Sequence, residues 1–241
     1  MKLFDFRKIQ TKDEYIQEYI HNTYWDNYWI RYSNVWFIII PKDTNYVIKY
    51  YLSDEYISDY FWEKKEFWFY IKENNNYNFF ARNNILVPKI ISNWIVKIWK
   101  YEFKYIKFEN IRINNIKVKN FNQIDINKFV KFIYKLNNIK PWYVYGSLHA
   151  SDVYLTNDWD IGIFDLIDYY KWYIETDIAR ICFGYNLELK YIKKFLLLYW
   201  YEHINFSRLL SEIYSLLDLH EVNNTDFIKL VYYIKKIHTN N

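Results

Sequence analysis

Tyr145-Gly146-Ser147-Leu148-His149-Ala150-Ser151-Asp152 is a polar octet set between the apolar-rich runs 142–144 and 153–155. Ile163-Phe164-Asp165 follows, its acid thirteen residues after Asp152. Short apolar runs bounded by turn-forming residues predict strand, loop, strand. The octet and the acid at 165 then converge on one cleft, a layout suited to a hard metal ion and phosphate oxygens. Asp177-Ile178-Ala179-Arg180 reads as the start of a helix with an acid placed to cap it or to brace the loop.

Upstream of the octet, residues 13–21 carry apolar side chains at 15, 16, 19 and 20, a helical spacing. Residues 28–40 and 45–51 are β-rich and are separated by the turn signal Pro41-Lys42-Asp43-Thr44. Within the second run Lys49 alternates onto the same face as Val47 and Tyr51. Residues 54–72 form a helix candidate with acids at 54, 55, 59, 63 and 66, and Asn74-Asn75-Asn76-Tyr77-Asn78 reads as a turn-rich insert. Residues 94–105 supply further strands. Residues 104–122 alternate Ile with Lys, Arg and Asn, which reads as an exposed strand or linker, the alternative being a basic rim for an anionic substrate. Residues 124–136 have the spacing of an amphipathic helix, repeated over 181–201, 206–219 and 227–237. Strands first and helices afterwards predict an α+β fold.

The chain has 241 residues, 52% of them hydrophobic, enough to bury a sizeable core in one domain of two lobes. No run of about 18 uncharged apolar residues occurs, so no membrane span is expected. The opening Met-Lys-Leu-Phe-Asp-Phe-Arg-Lys lacks a signal peptide's apolar centre, and the cytoplasm is the expected location. A single cysteine, Cys182, fits a reducing compartment. A net charge of +4 does not point to nucleic acid, although the Lys/Arg-rich stretch 97–119 and the aromatic content keep single-strand stacking as a minor alternative.

Glycine is scarce: 3 residues, against about 17 at an average usage of ~7%, while tryptophan reaches 11. Trp159 occupies the hairpin turn Asn157-Asp158-Trp159-Asp160, where a glycine is expected because positive φ suits it. Trp36 and Trp172 also stand in expected turn positions. Two explanations compete. The host reads some UGA codons as glycine, or an AT-rich genome has biased the composition.

The octet resembles the catalytic loop of the aminoglycoside phosphotransferase and choline kinase branch of the protein-kinase-like fold, His-Gly-Asp-x-His-x-x-Asn. Asp165 resembles that branch's metal-binding acid, and Asp177-Ile178-Ala179-Arg180 its Asp-Leu-Ala-Arg helix start. Val47-Ile48-Lys49 is similar to the Val-Ala-Ile-Lys strand, and Ile85-Leu86-Val87-Pro88-Lys89-Ile90 to its Leu-Pro-Val-Pro-Lys segment. The resemblance spans roughly 28–185. It implies a two-lobe fold, with an N-lobe at 1–102 and a C-lobe at 103–241. It implies ATP (or GTP) and Mg2+ as cofactors, with transfer of phosphate to a hydroxyl of a small aminoglycoside, amino-alcohol or sugar acceptor.

The resemblance also implies residue roles. Lys49 holds the α/β-phosphates, paired with Glu66 or, one turn earlier, Glu63. Ser33 and Asn34 cover the phosphates, and Glu102 and Phe103 lie at the adenine hinge. Asp152 and Asp165 hold the metal. Ser147 stands where the branch has its catalytic Asp, Tyr145 where it has His, and Asp152 where it has Asn. A serine hydroxyl cannot accept a proton as a carboxylate does, but it can orient the acceptor. His149 or Asp152 is then the remaining candidate base, and Glu175 and Asp168 are open as substrate contacts. The competing reading is a pseudokinase that binds nucleotide as a regulatory module.

Overall fold

The computed structural model describes residues 14–25, 27–32, 36–51, 67–98, 101–119, 121–140, 143–145, 148, 150–166, 170–171, 173–183, 189–199, 204–219, 229, 231–232 and 235–236. They fall into two compact units, one within Met1–Ala81 and Val87–Ile113, the other within Arg82–Leu86 and Asn114–Asn241. The strand Tyr101–Glu109 runs through the point at 102/103.

The first unit is a five-stranded antiparallel sheet. Helix α1 (Glu14–Tyr24) precedes β1 (Tyr28–Tyr32), β2 (Trp36–Pro41) and β3 (Tyr46–Tyr51); helix α2 (Trp68–Arg82) then leads to β4 (Ile90–Ile98) and β5 (Tyr101–Glu109). The strand order is β1-β2-β3-β5-β4. Alternation along the strands gives the sheet two different faces. Phe37 and Ile39 of β2, Ile48 and Tyr50 of β3, and Phe103 of β5 form one core with Ile16 and Ile20 of α1. Phe37 stacks on Tyr50 with ring centroids 4.7 Å apart. The opposite face carries Lys49, Ile106 and Phe108, and Tyr77 of α2 meets Phe108 at 4.6 Å.

Three expectations change here. Residues 104–109 are strand, one of the two readings of that stretch, but an interior one with Ile106 and Phe108 buried rather than an exposed strand or linker. Their lysines are accommodated because each stem runs out to an aromatic face: Lys104 Nζ lies 4.2 Å from the Phe67 ring centroid and Lys107 Nζ 3.5 Å from that of Tyr46. The asparagine run at 74–78 lies inside α2 and not in a turn. Its asparagines share the helix with a buried stripe at Glu73, Tyr77 and Phe80, at spacings of four and three. Glu102 and Phe103 belong to β5, where they pair with Lys97 and Val96, and Phe103 is a core residue; neither stands in a connection between units.

In the second unit, α3 (Ile111–Asn114) leads from the first into β6 (Ile116–Lys117), followed by α4 (Ile126–Asn138) and β7 (Tyr143–Val144). Then come the hairpin β8 (Val153–Leu155) and β9 (Ile161–Ile163), β10 (Tyr170–Lys171), and helices α5 (Ile174–Phe183), α6 (Leu189–Tyr199) and α7 (Phe206–Leu219). Strand β6 pairs with β8 and β8 with β9, while β7 pairs with β10. The segment before β4 joins this unit through the backbone bond from Ile163 N to Leu86 O, 2.9 Å. Gly162 sits directly across from Tyr154, whose ring fills the place any side chain at 162 would need. The predicted periodicity of α4 is realised: Phe129, Phe132, Ile133 and Leu136 are buried, and Phe129 meets Phe121 at 4.7 Å and Phe195 of α6 at 5.7 Å.

Most of the predicted helix at 227–237 lies outside the described residues. Among the described residues no helix is long and apolar enough to cross a membrane. Asp125 caps α4, its Oδ1 accepting from Asn127 N at 3.0 Å and Lys128 N at 2.9 Å. Asp125→Ala is expected to cost about 1 kcal/mol of stability, read as a lower urea midpoint with unchanged slope.

Candidate functional site

In the first unit, strand alternation and one helix carboxylate make a buried charged cluster. Lys49 points from β3 towards α2 and meets Glu73 at both carboxylate oxygens, Nζ to Oε1 3.0 Å and Nζ to Oε2 2.8 Å. Both side chains are almost fully buried, 5% and 1% exposed, so the pair is shielded from solvent screening. Tyr51, two residues along the same strand face, donates its hydroxyl to Glu73 Oε2 at 2.7 Å. The Trp36 ring faces the ammonium at 4.5 Å and the Tyr51 ring at 5.7 Å.

Glu73 was not among the expected partners of Lys49. Glu66 and Glu63 lie outside the described residues, as do Ser33 and Asn34. The signal for Glu73 was present in the sequence as the 73, 77, 80 stripe, and the neighbouring asparagines masked it.

In the second unit the hairpin carries an acid beside each strand at the open end of its ladder. Asp152 directly precedes β8 and Asp165 follows β9 by two residues, and Phe164 N donates to Asp152 O at 2.9 Å, closing the end of the ladder. Asp165 has φ 62°, the left-handed region, which aspartate tolerates better than most residues. Tyr145, standing where the resemblance has histidine, directs its hydroxyl at the carbonyl oxygens of Phe164 and Asp165, 2.7 Å from the latter. The peptide N–H of Tyr145 donates to Asp177 Oδ2 at 2.8 Å, and Asp177 is buried in the first turn of α5. Asp177 thus braces the backbone leading into the octet. Glu175 is also buried and accepts from Asn205 N at 2.6 Å, a structural link between α5 and the start of α7.

Ser147, His149 and Asp168 lie outside the described residues. Among the described residues no cluster of three or more His, Cys, Asp or Glu side chains forms a metal cage. Two carboxylates at one hairpin end still fit magnesium, which commonly takes one or two protein carboxylates and completes its shell with water and substrate phosphate.

A five-stranded antiparallel sheet with a lysine–glutamate pair to its helix, joined in sequence to a mainly helical unit around an acid-bearing hairpin, defines a protein-kinase-like α+β fold. Solved structures agree. Aminoglycoside phosphotransferase APH(3'')-Id from Streptomyces rimosus ATCC10970 matches with a TM-score of 0.60 at 9% identity, over 82% of this chain and 96% of that one. WaaP in complex with acyl carrier protein matches at 0.53 and 9%, over 97% and 99%. ADP-bound aminoglycoside phosphotransferase APH(2'')-Ib matches at 0.52 and 10%, over 91% and 97%. The chain is similar to these structures in fold. No protein-family model matches the sequence, and no curated protein matches it.

Removing one member of a buried ion pair leaves the other charge uncompensated, at about 3–5 kcal/mol, whereas replacing both by apolar residues is often neutral. Glu73→Leu alone is therefore expected to lose about that much in urea unfolding, and Lys49→Met with Glu73→Leu to recover most of it. A double variant as unstable as the single one would show that the pair is not what the site's stability rests on.

Proposed function

We propose that this chain is a phosphotransferase that moves a phosphoryl group from ATP (or GTP) to a hydroxyl of a small aminoglycoside, amino-alcohol or sugar molecule. The observation that carries the reading is the buried Lys49–Glu73 pair on a kinase-like sheet and helix. Two charges withdrawn from water contribute little net stability compared with an apolar pair. Their value here is an ammonium held in one orientation, as phosphate binding requires. The sequence resemblance and the fold likeness support the same reading.

In this reading Lys49 binds the nucleotide's α/β-phosphates and Glu73 orients it. Asp152 and Asp165 hold magnesium, which neutralises charge on the phosphate oxygens. Ser147 orients the acceptor hydroxyl, and His149 or Asp152 takes its proton. Phosphoryl transfer demands mainly positioning and charge neutralisation, and a positioned base is typically worth 10²–10⁴-fold. A chain with serine at 147 therefore turns over slowly rather than not at all. The replacement of the catalytic Asp by Ser147 is also what favours the second reading, a nucleotide-binding pseudokinase.

Calorimetric titration with ATP, with and without magnesium, followed by turnover against a panel of amino-alcohols, sugars and aminoglycosides, separates the two. Magnesium-dependent binding with transfer to an acceptor supports the enzyme; binding without turnover on any acceptor supports the pseudokinase. Asp165→Asn is expected to abolish magnesium-dependent nucleotide binding. An unchanged affinity would refute the role of Asp165.

A further inference from the structure

We propose that Tyr51 is a positioning residue for the phosphate-binding lysine, acting through Glu73; this rests on the nucleotide reading above. Tyr51 and Lys49 occupy the same face of β3, and both reach the one carboxylate that α2 sends to that face. Lys49 contacts both oxygens of Glu73, so the ammonium alone leaves the carboxylate free to swing about its own axis. The phenol contact at 2.7 Å on Oε2 singles out one oxygen and removes that freedom. Tyr51 is itself fixed, its ring meeting Tyr70 edge-on at 5.6 Å, one helical turn before Glu73 on α2. Trp36 closes the other side of the ammonium with its ring face at 4.5 Å. Lysine, glutamate and phenol thus form a chain of orientation that ends at the group meeting phosphate.

The test is a double-mutant cycle on the full chain, with Mg·ATP affinity measured by calorimetry and folding checked by thermal melting. Tyr51→Phe keeps the ring and loses the hydroxyl. It is expected to weaken Mg·ATP binding about tenfold in the wild-type background, the size of one hydrogen bond to a charged group. In the Glu73→Gln background it is expected to weaken binding less than about twofold, because the route through the carboxylate is already broken. If the amide variant fails to fold, the Tyr51→Phe measurement in the wild-type background decides the role. An equal loss in both backgrounds, or none in the wild type, overturns the role of Tyr51. Absence of Mg·ATP binding by the wild-type chain overturns the phosphotransferase reading, and this role falls with it.

A separate observation carries a second inference: the structure assigns glycine, in the natural protein, to positions 25 and 159. Trp25 has φ 51° and Trp159 φ 63°. Trp25 follows the last residue of α1, and its N–H bonds His21 O at 2.8 Å, the left-handed helix-ending motif in which glycine is the usual residue. Trp159 ends the β8–β9 loop. Its N–H bonds Thr156 O at 2.9 Å and Thr156 N bonds Asp160 O at 2.9 Å, a type I turn followed by a left-handed residue, again a glycine position.

Neither ring compensates for its backbone, since Trp25 is 83% exposed and Trp159 54%. Phe67, at φ 54°, makes the contrast. It is buried, with the Lys104 ammonium over its ring, so its side chain has a reason to be there. Trp36, expected from composition to replace a turn glycine, lies in β2 with ordinary φ and its ring on Lys49, and stays tryptophan. Trp172 lies outside the described residues.

Glycine at 25 and 159 follows if the gene carries UGA there and the host inserts glycine at that codon. Reading the gene and measuring peptide masses from the naturally produced protein tests each position separately. UGA codons and glycine masses at 25 and 159, with UGG at 36, are expected. A UGG codon, or a tryptophan mass, at either position overturns the assignment for that position. In the recombinant chain, Trp25→Gly and Trp159→Gly are each expected to raise the folding equilibrium constant about tenfold by relieving the left-handed backbone. A loss of stability in either variant counts equally against that position.

Discussion

Much of the first unit is arranged around an ion pair that water cannot reach. Lys49 and Glu73 are both nearly inaccessible, and a lone charge in either place would be strongly disfavoured. That constraint couples elements far apart in sequence. The strand must present 49 to one face while 48 and 50 fill the core on the other, and α2 must lie over that face in the register that delivers position 73. The aromatic residues complete the enclosure. Trp36 and Tyr51 bound the ammonium with ring faces, and the Tyr51 hydroxyl fixes the carboxylate. An oriented charge in a dry setting interacts with phosphate more strongly than a solvated one, which is how this cluster connects the packing of the sheet to the proposed chemistry.

The second unit reaches a related end by different means. Its acids lie at the close of a short hairpin, where backbone contacts register them. Asp177 holds the Tyr145 peptide, and the Tyr145 hydroxyl reaches the carbonyls that flank and include Asp165. Tyr145 therefore ties the start of the octet mechanically to α5 and to the segment bearing the acid.

The sequence made the broad arrangement legible because strand alternation and helix periodicity are strong wherever one face is buried. The 126, 129, 133, 136 stripe of α4 and the position of Lys49 are cases of this kind. It was less informative where local composition opposed tertiary demand. The asparagines at 74–78 look like a turn by propensity, yet Tyr77 and Phe80 bury their rings beside them and keep the helix intact. Lysines at 104 and 107 look like solvent-facing residues, yet aromatic neighbours from other elements accept them. Trp25 escaped notice because tryptophan itself gives no turn signal, even before Asp26-Asn27, and the backbone angle is what marks it.

Strand β4 is the sheet margin, and Ile91, Ser92, Asn93, Trp94 and Ile95 are all exposed along it, with Trp94 at 72%. An uncovered margin with isoleucine and tryptophan invites another chain to add a strand. The register slip between Ile90 and Ser92 bends the start of this margin and spoils its hydrogen-bonding repeat. Protection of this margin thus combines a local irregularity in the backbone, two small polar side chains and the exposed Lys97. Smoothing that irregularity would leave the Lys49–Glu73 pair untouched and still offer a second chain a regular strand edge to pair with.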